Sequence, residues 1–144
     1  MGIVLGEWGE LWYTKIKPQI FAEEFIEMND GSGGVPIDYK LHVFHQQAVI
    51  VQACVSRYSN QVHHFYNHNF ERIDIGWHRH NYHNASSPSI PRPAVFDDMI
   101  YIAEEVSEHF PYVRVDFYEK YGALYFSEIT FGHDGMFFHF DFCS

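Results

Sequence analysis

The chain has 144 residues, of which 47% are hydrophobic and 19% aromatic, a composition that excludes a disordered protein. This length suits residues 1–144 folding as a single domain, since most domains contain about 100–150 residues. The formal net charge of −10 argues against a nucleic acid partner, and no apolar run approaches the about 18 residues of a membrane span.

The first half of the chain predicts antiparallel strands, because apolar and polar side chains alternate with the period of two that a half-buried strand requires. The predicted strands cover residues 19–26, 37–44, 48–56, 62–66 and 73–77. The predicted strands 37–44 and 48–56 are expected to be joined by His45, Gln46 and Gln47. Asparagine and glycine at residues 29–34 predict a turn or loop.

Residues 94–110 predict the main helix, which Pro111 ends. Apolar residues recur there every three or four positions, the spacing of an amphipathic helix. They are Val95, Met99, Ile102, Val106 and Phe110. A helix set apart from antiparallel strands predicts an α+β fold with a mostly antiparallel sheet. Residues 136–142 alternate again and predict a last strand.

The segment from Val113 to Gly135 predicts a β-hairpin that turns at Gly122. Folding the segment there predicts three cross-strand pairs on one face: Asp116 with Glu128, Arg114 with Thr130, and Tyr118 with Phe126. Directly opposed residues have Cβ atoms about 5 Å apart, so two carboxylates come together. Either both point into water from an exposed face, or a divalent cation such as Mg²⁺ bridges them beside an arginine suited to phosphate.

The two cysteines, Cys54 and Cys143, lie far apart and show neither disulfide nor metal-binding spacing. Unpaired thiols are typical of a reducing compartment, so we expect a cytoplasmic protein. Cys54 lies within an apolar strand and is expected to fill the core.

The motifs, taken in order, resemble the C-terminal half of the ATP-grasp superfamily. The more specific resemblance is to its TupA-like branch, which is linked to teichuronopeptide and other cell-surface polymer synthesis. The resemblance covers nearly the whole chain, from about Trp8 to Gly135. The residues that carry it are Arg114-Val115-Asp116, Glu128-Ile129-Thr130, Ile20 to Ile26, Asp38-Tyr39-Lys40 and Phe65-Tyr66-Asn67.

This resemblance implies that the hairpin binds Mg²⁺ and ATP. Asp116 and Glu128 would be Mg²⁺ ligands, and Thr130 occupies a position where the superfamily usually has a further Asn ligand. Arg114 would stabilise the developing acyl-phosphate, a role suited to a permanently charged planar group. The resemblance places the following residues around the nucleotide: Glu23, Glu24, Phe25 and Ile26 as the adenine hinge, Asp38 near the ribose, Tyr118 and Phe126 beside the purine, and Lys40 and Arg72 at the phosphates.

The implied activity is ATP-dependent ligation within cell-surface polymer synthesis. ATP would phosphorylate a small carboxylate substrate to an acyl-phosphate, and an amine or similar nucleophile would then displace phosphate. ATP-grasp enzymes place a glycine-rich lid and usually two nucleotide-binding lysines before the hinge, whereas only about 20 residues precede Glu23 here. We therefore expect a partial ATP-grasp unit that holds ATP weakly by itself.

Eleven histidines keep a second hypothesis open, that of a histidine-rich metal-binding β protein. His78, His80 and His83 lie within six positions, and imidazole is a common Zn²⁺ ligand. Against this hypothesis, no cysteine joins them and the sequence contains no HExxH motif.

A non-catalytic interaction domain is the third hypothesis. The chain contains 10 Tyr, 14 Phe and 3 Trp, too many rings for a core of this size to cover completely. Exposed aromatic patches often form interfaces, so this composition favours a homo-oligomer.

Overall fold

The structure is a computed structural model that describes residues 17–26, 28, 34–55, 61–76, 88–131 and 141–142. It confirms the predicted α+β class, because a helix packs on a six-stranded antiparallel sheet. The elements are β1 (Asp38–Phe44), β2 (Gln47–Val55), β3 (Val62–Tyr66), β4 (Arg72–Ile73), β5 (Ile75–Gly76), α1 (Phe96–Val106), β6 (Tyr112–Lys120), β7 (Ala123–Thr130) and β8 (Asp141–Phe142). The large sheet has the strand order β4-β3-β2-β1-β6-β7, and β5 pairs with β8 in a separate ribbon.

Helix α1 is shorter than predicted and confirms the predicted stripe only in part: Met99 is buried, and Val95 and Val106 pack against the core. Its buried residues are Phe96, Met99, Ile100 and Ala103. Ile102, predicted to face the core, is 37% exposed, and Phe110 lies beyond the helix and is 38% exposed. Two overlapping stripes fit the sequence at helical spacing, and packing against β1, β2 and β6 selects the one that contains Phe96 and the small Ala103. Among the described residues, no helix has the length and apolar character needed to cross a bilayer.

The central strands have two buried faces of opposite chemistry. The helix face, which packs on α1, is apolar in β1 and β6 and comprises Tyr39, Leu41, Val43, Val113, Val115 and Phe117. The polar face, on the other side of the same strands, comprises Asp38, Lys40, His42, Arg114 and Asp116. The two faces interleave along each strand because successive side chains of a strand point to opposite sides.

The β6–β7 hairpin confirms two of the three predicted pairs and corrects the third. Asp116 stands opposite Glu128 and Arg114 opposite Thr130, whereas Tyr118 faces Tyr125. The tip has two residues, Tyr121 and Gly122, both with positive φ as a tight hairpin turn requires. A bulge at residue 127 then shifts the register by one position.

The prediction that Phe126 shares a face with the carboxylates is therefore wrong. Phe126 pairs with Phe117, and the two ring centroids lie 6.4 Å apart. Because Phe117 belongs to the helix face, the bulge sends Phe126 to the opposite side of the sheet from Asp116.

Two predicted strands differ from the structure, and a third lies mostly outside the described residues. Residues 19–26 form no strand, and Ile20 and Phe21 are exposed, so the apolar content there does not reflect a core position. Residues 73–77 divide at Asp74 between β4 and β5, with Trp77 outside the described residues. Of the predicted strand 136–142, only β8 lies within them.

Candidate functional site

Five charged side chains meet on the polar face where β1, β6 and β7 run side by side. Strand register places Lys40 opposite Asp116, and Asp116 opposite Glu128. Asp38 and Arg114 each stand two residues along, and therefore on the same face. We call this group the charge cluster: Asp38, Lys40, Arg114, Asp116 and Glu128.

Arg114 joins the two carboxylates that the sequence predicted to be neighbours. Its Nε donates to Asp116 Oδ1 at 2.7 Å, and its Nη2 donates to Asp116 Oδ2 at 2.8 Å, a bidentate pair. The same Nη2 lies 2.5 Å from Glu128 Oε1. Thr130 Oγ1 also donates to Glu128 Oε1, at 2.9 Å. Arg114 therefore offsets the repulsion between Asp116 and Glu128.

Lys40 provides a second cation from the neighbouring strand. Its Nζ lies 2.5 Å from Asp116 Oδ2 and 2.9 Å from Asp38 Oδ2. The side chains of Asp38 and Asp116 are 1% and 0% exposed, so these ion pairs are largely shielded from solvent. Buried ion pairs rarely add net stability, since desolvation offsets most of the attraction.

The electrostatic environment keeps both cations charged. Burial by itself lowers the pKa of Lys40, but attraction to Asp116 and Asp38 outweighs burial and leaves the pKa raised. Burial also opposes the charge on Arg114, while its hydrogen bonds and attraction to Asp116 raise its pKa overall. A divalent cation entering the cluster therefore meets two permanent positive charges.

The two proposed metal ligands fit Mg²⁺ chemically. One oxygen from each of Asp116 and Glu128 lies within hydrogen-bonding distance of the same nitrogen, Arg114 Nη2, which fills the position between the two carboxylates. Carboxylate and hydroxyl oxygens are the hard ligands that Mg²⁺ prefers, and it commonly completes its shell with substrate phosphates.

Zinc sites usually need several His, Cys, Asp or Glu ligands together. In the part of the chain that the structure describes, no group of three or more such residues is placed to hold a metal, and this finding includes the three carboxylates of the charge cluster. His78, His80 and His83, on which the zinc hypothesis depends, lie outside the described residues, so that hypothesis stays a prediction.

A cavity of about 250 Å³ brings the predicted adenine hinge next to the hairpin. Its lining residues are Glu23, Glu24, Phe25, Ile26, Val35, Pro36 and Tyr118. Tyr118 stands opposite Asp38 and two residues beyond Asp116 on the same face, a spacing of about 7 Å along the strand. The cavity is therefore a direct neighbour of the charge cluster.

Two predicted nucleotide contacts do not join this arrangement. Arg72 lies in β4 at the outer edge of the sheet, with β3, β2 and β1 between it and β6. Neighbouring strands are about 4.8 Å apart, which puts Arg72 roughly 19 Å from Asp116 across the sheet. Phe126 lies on the helix face, as described above. The sequence could not exclude either residue because strand order and bulges depend on distant pairing.

Several residues at this site had no role predicted from the sequence. Val35 and Pro36 line the cavity but carry no chemical signal of their own. Tyr112 and His42 extend the polar face, with Tyr112 OH 3.0 Å from His42 Nδ1. Burial, opposed by Arg114, raises the pKa of Tyr112 to about 12. Tyr112 stands two residues from Arg114, and His42 stands two residues from Lys40. Strand alternation could therefore have predicted that both residues share the polar face.

Comparison with known proteins identifies the family of the chain. A family model described as TupA-like ATPgrasp matches residues 7–142, a range that contains the charge cluster and the whole lining of the cavity. Searches of curated proteins and of solved structures return no match. The chain therefore belongs to the TupA-like ATP-grasp family.

Proposed function

We propose that this chain binds Mg·ATP across the cavity and the charge cluster and serves ATP-dependent carboxylate ligation in cell-surface polymer synthesis. One observation carries the proposal: a cavity lined by residues 23–26 and Tyr118 adjoins two carboxylates held together by a buried arginine. Family membership supports the ATP-grasp relationship. The carboxylate substrate, the amine acceptor and the polymer are part of the proposal.

The cavity would take the adenine. Residues 23–26 form no strand, so their backbone N–H and C=O groups have no ladder partners among the described strands and could read the purine edge. Tyr118 supplies an aromatic wall, and Phe25 and Ile26 supply apolar contacts. This combination of apolar walls and a few polar groups is typical of ligand sites.

The charge cluster would take the phosphates. Asp116 and Glu128 would hold Mg²⁺, which neutralises phosphate charge when bound. Arg114 is oriented by two hydrogen bonds to Asp116, and its planar group can contact phosphate oxygens without losing its charge. Such fixed positive groups stabilise the charge that develops as a phosphoryl group is transferred.

The proposed reaction has two steps. A substrate carboxylate oxygen attacks the γ-phosphorus of ATP, and the bond between that phosphorus and the β,γ-bridging oxygen breaks. ADP departs, and the substrate becomes an acyl-phosphate. An amine then attacks the acyl carbon, phosphate leaves with the bonding electrons, and the amine loses its proton. Arg114 would contact the phosphoryl group in both steps, and the protein's contribution is positioning and charge stabilisation.

The test is calorimetric titration with Mg²⁺ and AMP-PNP, a non-hydrolysable ATP analogue. We expect wild type to bind the analogue in the presence of Mg²⁺. Asp116→Asn and Glu128→Gln should weaken this binding by about tenfold or more, while Asp97→Asn, an exposed control on α1, should leave it unchanged. Equal affinity in all four proteins, or no binding by wild type, would overturn the proposed site.

A second candidate function rests on one apolar segment. Ile20, Phe21 and Phe25 are 103%, 79% and 65% exposed, an unusual concentration of apolar surface. A second copy of the chain could cover it, in keeping with the proposed homo-oligomer. Light scattering should then show a dimer or larger species that Ile20→Ser/Phe21→Ser dissociates, and a wild-type monomer would contradict this function.

A further inference from the structure

The two carboxylates predicted as metal ligands differ in how far solvent reaches them. The Asp116 side chain is 0% exposed, whereas the Glu128 side chain is 55% exposed. Asp116 lies on β6, which has a neighbouring strand on each side, and Glu128 lies on β7, which ends the strand order of the described sheet. An ion that arrives from solvent therefore meets Glu128 before Asp116.

Both oxygens of Asp116 already accept hydrogen bonds from cations. Oδ1 accepts from Arg114 Nε at 2.7 Å, and Oδ2 accepts from Arg114 Nη2 at 2.8 Å and from Lys40 Nζ at 2.5 Å. A carboxylate has about four lone-pair sites, and fixed positive groups use three of them here. A metal ion at Asp116 would compete with these pairs inside the protein, where breaking an ion pair is costly.

Glu128 keeps one oxygen available. Its Oε1 accepts from Arg114 Nη2 at 2.5 Å and from Thr130 Oγ1 at 2.9 Å. Its Oε2 makes no hydrogen bond or ion pair with any residue in the described ranges. A cation that binds Glu128 through Oε2 therefore leaves the observed contacts of Oε1 intact.

Asp116 also determines how Arg114 is oriented. It contacts the edge of the guanidinium formed by Nε and Nη2, and Nη2 donates to Glu128 as well. The third nitrogen, Nη1, makes no hydrogen bond to a described residue. Because the guanidinium is planar and rigid, fixing the Nε–Nη2 edge directs Nη1 away from Asp116.

We propose that Asp116 is a positioning residue and that Glu128 is the carboxylate of this pair that contacts the metal. Asp116 fixes Arg114 so that Nη1 can donate to a phosphate oxygen, and it acts on the nucleotide through that arginine. This inference depends on the proposed Mg·ATP site and revises one part of it, because it removes Asp116 from the metal ligands.

The experiment is calorimetric titration with AMP-PNP, first in Mg²⁺ and then in EDTA. The ratio of the two dissociation constants measures the contribution of the metal. Asp116→Asn loses the bidentate pair, so it should weaken binding by about tenfold in both conditions and keep the wild-type ratio. Glu128→Gln should weaken binding mainly in Mg²⁺ and should lower the ratio by about tenfold. A general structural defect would not separate the two variants in this way.

A second variant tests the same role without changing Asp116. Arg114→Lys keeps the positive charge but loses the planar fork, so affinity should fall by about tenfold in both conditions at the wild-type ratio. Adding Asp116→Asn to Arg114→Lys should cause little further loss, because the two residues act as one unit. Arg92→Lys changes an arginine whose pair with Asp97 is exposed, and this matched control should bind like wild type.

The outcomes separate the inference from the function on which it rests. A ratio that falls as far in Asp116→Asn as in Glu128→Gln would make Asp116 a metal ligand and overturn the inference. If Asp116→Asn does not fold, Arg114→Lys decides: a ratio above the wild-type value would mean that the freed Asp116 oxygens bind metal, which would also overturn it. If wild type does not bind AMP-PNP in either condition, the proposed site is wrong and the positioning role falls with it.

Discussion

The two faces of strands β1 and β6 are both largely buried but have opposite chemistry. Leu41 and Val115 on the helix face are fully buried, and so is Asp116 on the polar face. Apolar burial on the helix face contributes about 1.5–3 kcal/mol for each large side chain. Replacing buried ion pairs with well-packed apolar residues is often neutral or stabilising, so stability alone does not account for the polar face.

The helix face holds the fold together, and the polar face is the one that we propose binds a ligand. The helix face joins α1 to the sheet through one continuous apolar cluster. The polar face keeps charged groups in place at a cost in desolvation, and it adjoins a cavity.

Breaking the buried ion pairs should destabilise the chain most. Arg114→Met leaves Asp116 buried without its bidentate partner, which we expect to lower the free energy of unfolding by about 3–5 kcal/mol in urea denaturation. Arg92→Met, which breaks an exposed pair with Asp97, should change it by less than about 1 kcal/mol. Adding Asp116→Asn to Arg114→Met should restore part of the loss. Similar losses at both arginines would contradict the difference in burial.

Truncating the helix face should affect stability and leave the ligand site intact. Met99→Ala removes a fully buried side chain of α1 and should cost about 2–5 kcal/mol, measured by the same denaturation. Ile102→Ala is the matched control, because sequence periodicity predicts both residues in the core and the structure buries only Met99. We expect a loss below about 1 kcal/mol for Ile102→Ala. Comparable losses would favour the predicted stripe over the observed one.

The two aromatic residues predicted beside the purine should differ in how much their substitution weakens nucleotide binding. Tyr118→Leu removes a ring that lines the cavity and should weaken AMP-PNP binding by about tenfold, roughly 1.4 kcal/mol. Phe126→Leu, on the helix face, should change affinity by less than about twofold. Calorimetry of both variants gives the comparison. A larger effect at Phe126 than at Tyr118 would contradict the bulged register.

The smallest expected effect is a pH dependence from His64, which pairs with Ala53 in the sheet. Burial, assisted by Arg72, lowers the pKa of His64 below its ordinary value. The unfolded chain then binds the proton more readily, so the stability from the neutral ring is present above about pH 6.5 and declines as the pH falls below it.

His64→Gln should therefore reduce the difference between urea midpoints measured at about pH 8 and about pH 5.5. His109→Gln, at an exposed position, is the matched control and should leave that difference unchanged. If both variants changed the pH dependence equally, burial of His64 would not be its cause.

The sequence predicted what depends on local alternation. Strand β3 was predicted with its observed ends. The pairing of Asp116 with Glu128 was predicted correctly, but it depends on the unpredicted bulge, because the register of the tip alone would place Ser127 opposite Asp116. The contact between Lys40 and Asp116 could not be predicted, because these residues lie 76 positions apart and meet only through the pairing of β1 with β6. Asp38 and Lys40 share a face because they stand two residues apart in one strand.

Other features depended on packing rather than on pattern. The sequence allows two apolar stripes on α1, and only contact with the sheet selects between them. Residues 19–26 are apolar enough for a strand, but they do not join the sheet, and residues 23–26 line a cavity instead. The bulge at Ser127 left no sequence signal, since serine is common in ordinary strands and in bulges alike.

Because of the bulge, the hairpin tolerates the deletion of one residue but not the insertion of one. The tip pairs Lys120 with Ala123, and continuing that register without interruption would put Ser127 opposite Asp116 and Glu128 on the helix face. Ser127 is thus a spare residue: a deletion between the tip and Glu128 could be absorbed by straightening the strand, and the two carboxylates would still meet. An insertion in the same stretch could not be absorbed in this way and would move Glu128 out of register with Asp116.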